Sequence, residues 1–225
     1  MIAEMSTPDT IAVLSESSVR GELVARLEEL KERCGTLERH QVVTILGQWY
    51  HPLHYFPTFL ARLIAVTPSL SSKTFISRIL WQELGEGDPL SAHENVYLST
   101  IADGHFVPEA VAGALPLAAT KKLIRGYEEA SERYLSGLGF LYGTETVDLP
   151  MVSTVGELMA KCTGKDDLAW VNIHVKQEPE HVESSNEALR PAFTPSEQRE
   201  IINEAEQMWA LWIGFFQSIE KEILG

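Results

Sequence analysis

The sequence predicts an all-α fold. Apolar residues recur at three- and four-residue spacings along most of the chain, and helix-breaking and capping residues punctuate those runs. Alternating apolar–polar runs of the kind that form strands are few. The chain has 225 residues, which fits one domain with at most small appendages. Its 44% apolar content is enough for a packed core, so the expectation is a single bundle of seven or eight helices.

The elements follow in order. Residues 1–18 are expected to be a flexible N-terminal segment, with the helical domain over 19–225. Leu23, Leu27 and Leu30 alternate with charges, which predicts an amphipathic helix over 19–34 ending near Gly35. The stretch Val42 to Val66 is apolar and aromatic-rich, with Trp49, Tyr50, Tyr55, Phe56 and Phe59; Pro52 and Pro57 should kink or divide it. Ser71 or Ser72 can cap a third helix running to Glu83, and Leu84-Gly85-Glu86-Gly87-Asp88-Pro89 breaks it. A helix restarts near Ser91 and carries His93, and residues 118–142 form another. Thr154 with Glu157, and Thr194 with Glu197 after Pro195, fit capping boxes. They open helices over 155–163 and 195–223, and a further helix covers about 166–190.

Charge narrows the function classes. The 18 Lys and Arg face 32 Asp and Glu, a net charge of −14. The basic residues are scattered, which argues against nucleic acid and against an anionic membrane surface. Cys34 and Cys162 are far apart in sequence and indicate neither a disulfide framework nor a zinc–thiolate site. No apolar run approaches the roughly 18–20 residues of a membrane span, and Met1 to Ser18 lacks the order of a signal peptide. A soluble cytoplasmic protein is expected. GxSxG, a phosphate-binding glycine loop and HExxH are all absent from the sequence.

Three places carry chemistry. His174, Glu178 and His181 stand at i, i+4 and i+7, within roughly 60° of one another on a helix. Two imidazoles and a carboxylate on one stripe suit iron, manganese or zinc, although a solvated stripe on an acidic helix has the same pattern. Glu83 ends one helix and His93 opens the next across a glycine-rich turn, so both side chains can enter one interior; a polar interhelical loop is the plainer reading. Glu86, seven residues before His93, is a competing ligand. Glu145 continues the apolar face of Leu138 and Leu141 or Tyr142. It lies either at a helix end near solvent or buried with a partner, since burying it unpaired is costly. Taken together, three His and three carboxylates from separated helical segments match the way helical bundles hold two iron or manganese ions.

Over roughly residues 37–220 the sequence resembles the haem-oxygenase-like diiron oxidases, related in fold to TenA-type and PqqC-type proteins. The resemblance rests on Glu83-Leu84-Gly85-Glu86-Gly87 followed by His93, on Glu145, and on His174, Glu178 and His181. It implies a haem-oxygenase-like bundle in which these six residues bind two Fe(II) ions, with manganese an alternative and Glu86 as an extra ligand. Two departures stand out: Asp is the more usual residue where Glu178 stands, and Pro179 inside the ligand helix should produce a local kink or bulge.

The resemblance further implies O2 as cosubstrate and oxidation of a small amino-acid-like or carboxylate-bearing substrate in natural-product biosynthesis. Trp49, Tyr50, His54, Tyr55 and Trp81 are candidate pocket walls. Arg62, Arg78 and Lys122 are candidates to meet a substrate carboxylate. The expected partner is a small molecule, with a homodimer open and neither nucleic acid nor membrane. The alternatives are a metal-free enzyme of the same fold, or a helical interaction module using the stripe Ile201, Met208, Trp209, Trp212, Phe215 and Phe216.

Overall fold

The computed structural model describes residues 9–33 and 37–225. Among them the chain is all helix and turn, with no strand. The helices are α1 (Thr10–Ser15), α2 (Ser18–Arg33), α3 (Arg39–Val66), α4 (Leu70–Glu83), α5 (His93–Asp103), α6 (Pro108–Ala112), α7 (Ala118–Ala130), α8 (Tyr134–Thr163), α9 (Ala169–Ala188) and α10 (Pro195–Leu224). A short 3₁₀ turn, Pro89–Ser91, precedes α5. The expected end of the second helix near Gly35, Cys34 and the first eight residues lie outside the described residues. Residues 10–15 are helical and Leu14 is fully buried, so the packed domain starts well before residue 19.

The long helix α8 is the spine of the bundle, packed against α2, α3, α7, α9 and α10. Its approach to α10 is close because Gly139 has no side chain: a Cβ there would lie 2.5 Å from the Ile201 carbonyl oxygen. Trp209 locks the same seam by donating its indole N–H to the Gly143 carbonyl at 2.7 Å. The C-terminal stripe Ile201, Met208, Trp209, Trp212, Phe215 and Phe216 is buried in this chain's own core.

Several boundaries differ from expectation, each for a local reason. Pro52 and Pro57 do not divide α3, which runs unbroken for 28 residues. Burial along its length, from Val42 and Trp49 to Phe59 and Leu63, outweighs the two lost backbone hydrogen bonds. The third helix is capped by Ser69, whose Oγ accepts from the Ser72 N–H, rather than by Ser71 or Ser72. The segment 118–142 is not one helix. It breaks at Ser131–Arg133, where Ser131 donates to the Glu128 carbonyl and Arg133 turns extended. Thr154 opens no helix, because residues 134–163 are already continuous and its hydroxyl donates to the Pro150 carbonyl at 2.8 Å. Pro150 itself leaves the Thr146 carbonyl without its helical partner, and Arg20 from α2 donates to that oxygen instead. The capping box at Thr194 and Glu197 is formed as expected, with Pro195 at the first helical position.

No helix among the described residues is long and apolar enough to cross a membrane.

Candidate metal centre

Four helices deliver the site. α4 ends on Glu83, and the chain must then reverse within a few residues. Gly85 makes this possible: it sits at φ +80°, and a Cβ there would lie 2.2 Å from the Asp88 carbonyl oxygen. Asp88 accepts from the Leu90 N–H and the Ser91 hydroxyl, fixing the 3₁₀ turn, and α5 starts at once on His93. Glu83 and His93 thereby meet, His93 Nδ1 lying 3.1 Å from Glu83 Oε2. α8 supplies Glu145, and α9 supplies His174, Glu178 and His181.

All six sequence-predicted ligands are buried and converge. His181 Nδ1 is 3.4 Å from Glu145 Oε2, and 3.9 Å from both Glu83 Oε1 and Glu178 Oε2. One ligand atom each from Glu145, Glu178 and His181 falls within 4.8 Å of the others. An ion with bonds of about 2.0–2.2 Å spans such a cage with small side-chain adjustments. The His93 and His174 rings are 4.6 Å apart, and the latter donates its Nδ1–H to the Trp170 carbonyl at 2.8 Å. That bond leaves Nε2 of His174 facing inward, 3.8 Å from Asp148 Oδ2.

Asp148 is the residue the sequence reading missed. It stands three after Glu145 on α8, so it continues the inward face already traced through Leu138 and Leu141. Extending that stripe by one more turn would have found it. Glu86 takes no part: it is exposed, at φ +55° in the turn after α4.

The electrostatics are those of a cation site. Burial alone would raise Glu83, yet the imidazoles of His93, His181 and His174 hold it near 2. Burial pushes Glu178 well up, helped by the Asp148 and Glu145 carboxylates. Asp148 rises to about 7 through burial and the charges of Glu145 and Glu83. Burial opposes a charge on His181, but Glu145 and Glu83 outweigh it and lift the ring to about 9. His174 is driven down to about 3, by burial and then by His93. Four carboxylates crowd three imidazoles, and among the described residues no Lys or Arg lines the adjoining cavity. Glu145 Oε1 and His181 Nε2 are buried without hydrogen-bond partners, while His93 Nδ1 and the Glu178 carboxylate face the carboxylates of Glu83 and Asp148. Such orphaned acceptors and ring nitrogens are what metal ions satisfy, and a mixed nitrogen–oxygen set fits iron or manganese.

Beside the cluster lies a cavity of about 30 Å³, lined on the protein side by Trp49, Pro52, Leu53, Phe56, Tyr127 and Trp212. Of the expected pocket walls only Trp49 lines it. Trp49, Leu53 and Phe56 share one face of α3 at i, i+4 and i+7, and Tyr50, His54 and Tyr55 are rotated off it. Tyr50 donates to Glu94, exposed His54 pairs with the same carboxylate, and the Tyr55 hydroxyl accepts from Arg62. Trp81 is 56% exposed, its ring over Gly87. None of Arg62, Arg78 and Lys122 reaches the cavity: Arg62 pairs with Glu132, Arg78 lies over Phe75, and Lys122 lines a separate surface recess.

Comparison with known structures places the fold. A CADD-like protein of unknown function from Nostoc punctiforme is 14% identical, with a TM-score of 0.77 and 96% of each chain covered. A domain of unknown function with a heme oxygenase-like fold from Shewanella denitrificans is 20% identical, with a TM-score of 0.69 over 95% of this chain and 88% of that one. A TenA homolog from Pseudomonas syringae pv. tomato is 13% identical, with a TM-score of 0.61, covering 96% and 98%. The fold is therefore heme oxygenase-like. No curated protein matches the sequence. A family profile described as iron-containing redox enzyme matches residues 43–213, which span the cluster from Glu83 to His181. By that match, the chain belongs to the iron-containing redox enzymes.

Proposed function

We propose that this chain is an O2-dependent non-haem diiron oxidoreductase acting on a small amino-acid-like or carboxylate-bearing substrate in small-molecule biosynthesis. The observation that carries this reading is the convergence of three buried carboxylates, half-buried Asp148 and three buried imidazoles, with orphaned polar atoms, at the wall of an aromatic cavity. Glu83, His93, Glu145, His174, Glu178 and His181 would hold the ions, with Asp148 as a seventh group. Four carboxylate charges balance two divalent cations. When bound, two Fe(II) ions supply electrons and open coordination positions for O2.

The residues around the cavity do the rest. Trp49, Phe56 and Trp212 keep bulk water out, which strengthens every charge interaction at the cluster. Tyr127 donates its hydroxyl proton to Thr144, and Thr144 donates onward to the Phe140 carbonyl. The phenol is thus committed within the protein and offers the cavity its ring. A carboxylate of the substrate finds no protein cation there and has to be met by the metals. The cavity holds about one water-sized group. A larger substrate therefore requires Leu53 and Phe56 to move aside, and Leu53, only half buried, is the easier of the two.

Anaerobic Fe(II) titration tests the proposal. The expected result is saturation near two irons per chain, then a transient visible absorption on exposure to O2. Absence of binding, or binding unaltered by His174→Ala, overturns it.

A further inference from the structure

We propose that Gln177 is a positioning residue that selects the tautomer in which His93 presents Nδ1 as a metal ligand. This inference rests on the two-metal reading of the site. Gln177 lies on α9 between His174 and His181, and it is buried, 9% exposed. Its Oε1 stands 2.7 Å from His93 Nε2. An amide oxygen only accepts, so Nε2 of His93 carries a hydrogen, and in the neutral ring, the form that can bind a metal, Nδ1 keeps its lone pair. That lone pair points toward Glu83 Oε2 at 3.1 Å. Two acceptors facing each other at this distance need a cation or a shared proton between them.

The position of His93 explains why a second helix has to supply the acceptor. His174 orients itself on its own helix, through the Trp170 carbonyl four residues earlier. His93 is the first residue of α5, so the residue four before it, Pro89, belongs to the preceding 3₁₀ turn. No carbonyl of its own helix is available. Gln177 fills that role from α9 and also ties the α5 ligand to the helix carrying His174 and His181. A reversed amide would donate to Nε2, place the hydrogen on Nδ1 toward Glu83, and remove His93 from the ligand set.

The test measures binding and tautomer. Mn(II) affinity and stoichiometry are read by equilibrium titration for the wild type, Gln177→Glu and Gln177→Leu, with circular dichroism on each to establish folding. Gln177→Leu should weaken the affected ion by about 10–100-fold, the range for a lost orienting partner of a metal-bound His. Gln177→Glu retains an accepting oxygen and should stay within about threefold of the wild type, a rescue that a mere packing role would not produce. In the Zn(II)-loaded wild type, long-range proton–nitrogen NMR should find the His93 hydrogen on Nε2. The inference falls if the hydrogen is on Nδ1, if Gln177→Leu binds as tightly as the wild type, or if Gln177→Glu is as weak as Gln177→Leu. A wild type that binds no divalent ion defeats the two-metal reading and this inference with it. A wild type that binds two ions alongside an unaffected Gln177→Leu defeats this inference alone.

Discussion

Asp148 joins α8 to the cluster twice over, since Glu145 sits one turn before it and both reach the same interior. As the fourth carboxylate it brings the protein charge level with two divalent ions. Asp148→Asn should therefore lower the affinity of one Mn(II) by about tenfold or more and leave the other tightly bound. Equilibrium dialysis checks this, and two unchanged sites would remove Asp148 from the ligand set. The titration behaviour of the metal-free protein gives a second prediction. Asp148, raised to about 7, and His181, raised to about 9, both hold protons in the folded chain that they release at lower pH when unfolded. Stability from such groups is complete at low pH and lost as pH rises through the folded values. Glu83 and His174, held near 2 and 3, are already deprotonated in both states above about pH 7.5 and leave this window alone. Metal-free protein should lose on the order of 2 kcal/mol between pH 7 and 9 in urea unfolding. Saturating Mn(II), which takes the place of those protons, should flatten the slope. A metal-free stability that rises over this window would contradict the assigned protonation.

Helices in this bundle are decided by what they pack against. Gly139 and Gly214 both lie within helices, so propensity alone favours alanine at each by up to about 1 kcal/mol. Packing separates them. A Cβ at Gly139 meets the Ile201 carbonyl at 2.5 Å, whereas nothing lies within 4 Å of one at Gly214. Gly139→Ala should lower the melting temperature, by several degrees for a penalty of about 1–3 kcal/mol, and Gly214→Ala should leave it unchanged or raise it. Thermal scans of the pair check this. The two Thr-x-x-Glu patterns teach the same lesson. Thr194 and Glu197 form a capping box because the chain before them is not helical. Thr154 and Glu157 have the same spacing and form none, because α8 already runs through them. Local pattern names what a residue can do, and the preceding backbone decides whether it does it.

At the scale of the molecule the cluster is a staple: α4, α5, α8 and α9 each contribute a charged or titratable group to one buried point. Ions bound there stabilise the folded state by mass action. At a hundredfold excess over its dissociation constant, each site adds about 2.7 kcal/mol. Mn(II) should therefore raise the melting temperature by several degrees at least, and His181→Ala should abolish most of that shift. A Mn(II)-dependent shift that survives His181→Ala would place the ion elsewhere.

The sequence by itself determined the helical class, most helix positions, and six residues that converge on one buried cluster, because helical periodicity and ligand spacing are local properties of the chain. Of the candidate pocket walls it nominated, Trp49 lines the cavity beside the cluster, while Tyr50, His54, Tyr55 and Trp81 point elsewhere. Aromatic residues one position apart on a helix differ by about 100° in direction, and composition does not record direction. Asp148 was legible in principle as the next step of the Glu145 stripe. Gln177 was not, since its meaning depends on a neighbour 84 positions away in sequence and 2.7 Å away in space. Only the tertiary structure decided which face of α3 meets the carboxylate–histidine cluster, and that Glu86 turns outward while Asp148 turns in. Those outcomes follow from how the helices of the described residues pack around one buried set of charges, and no single segment contains that information.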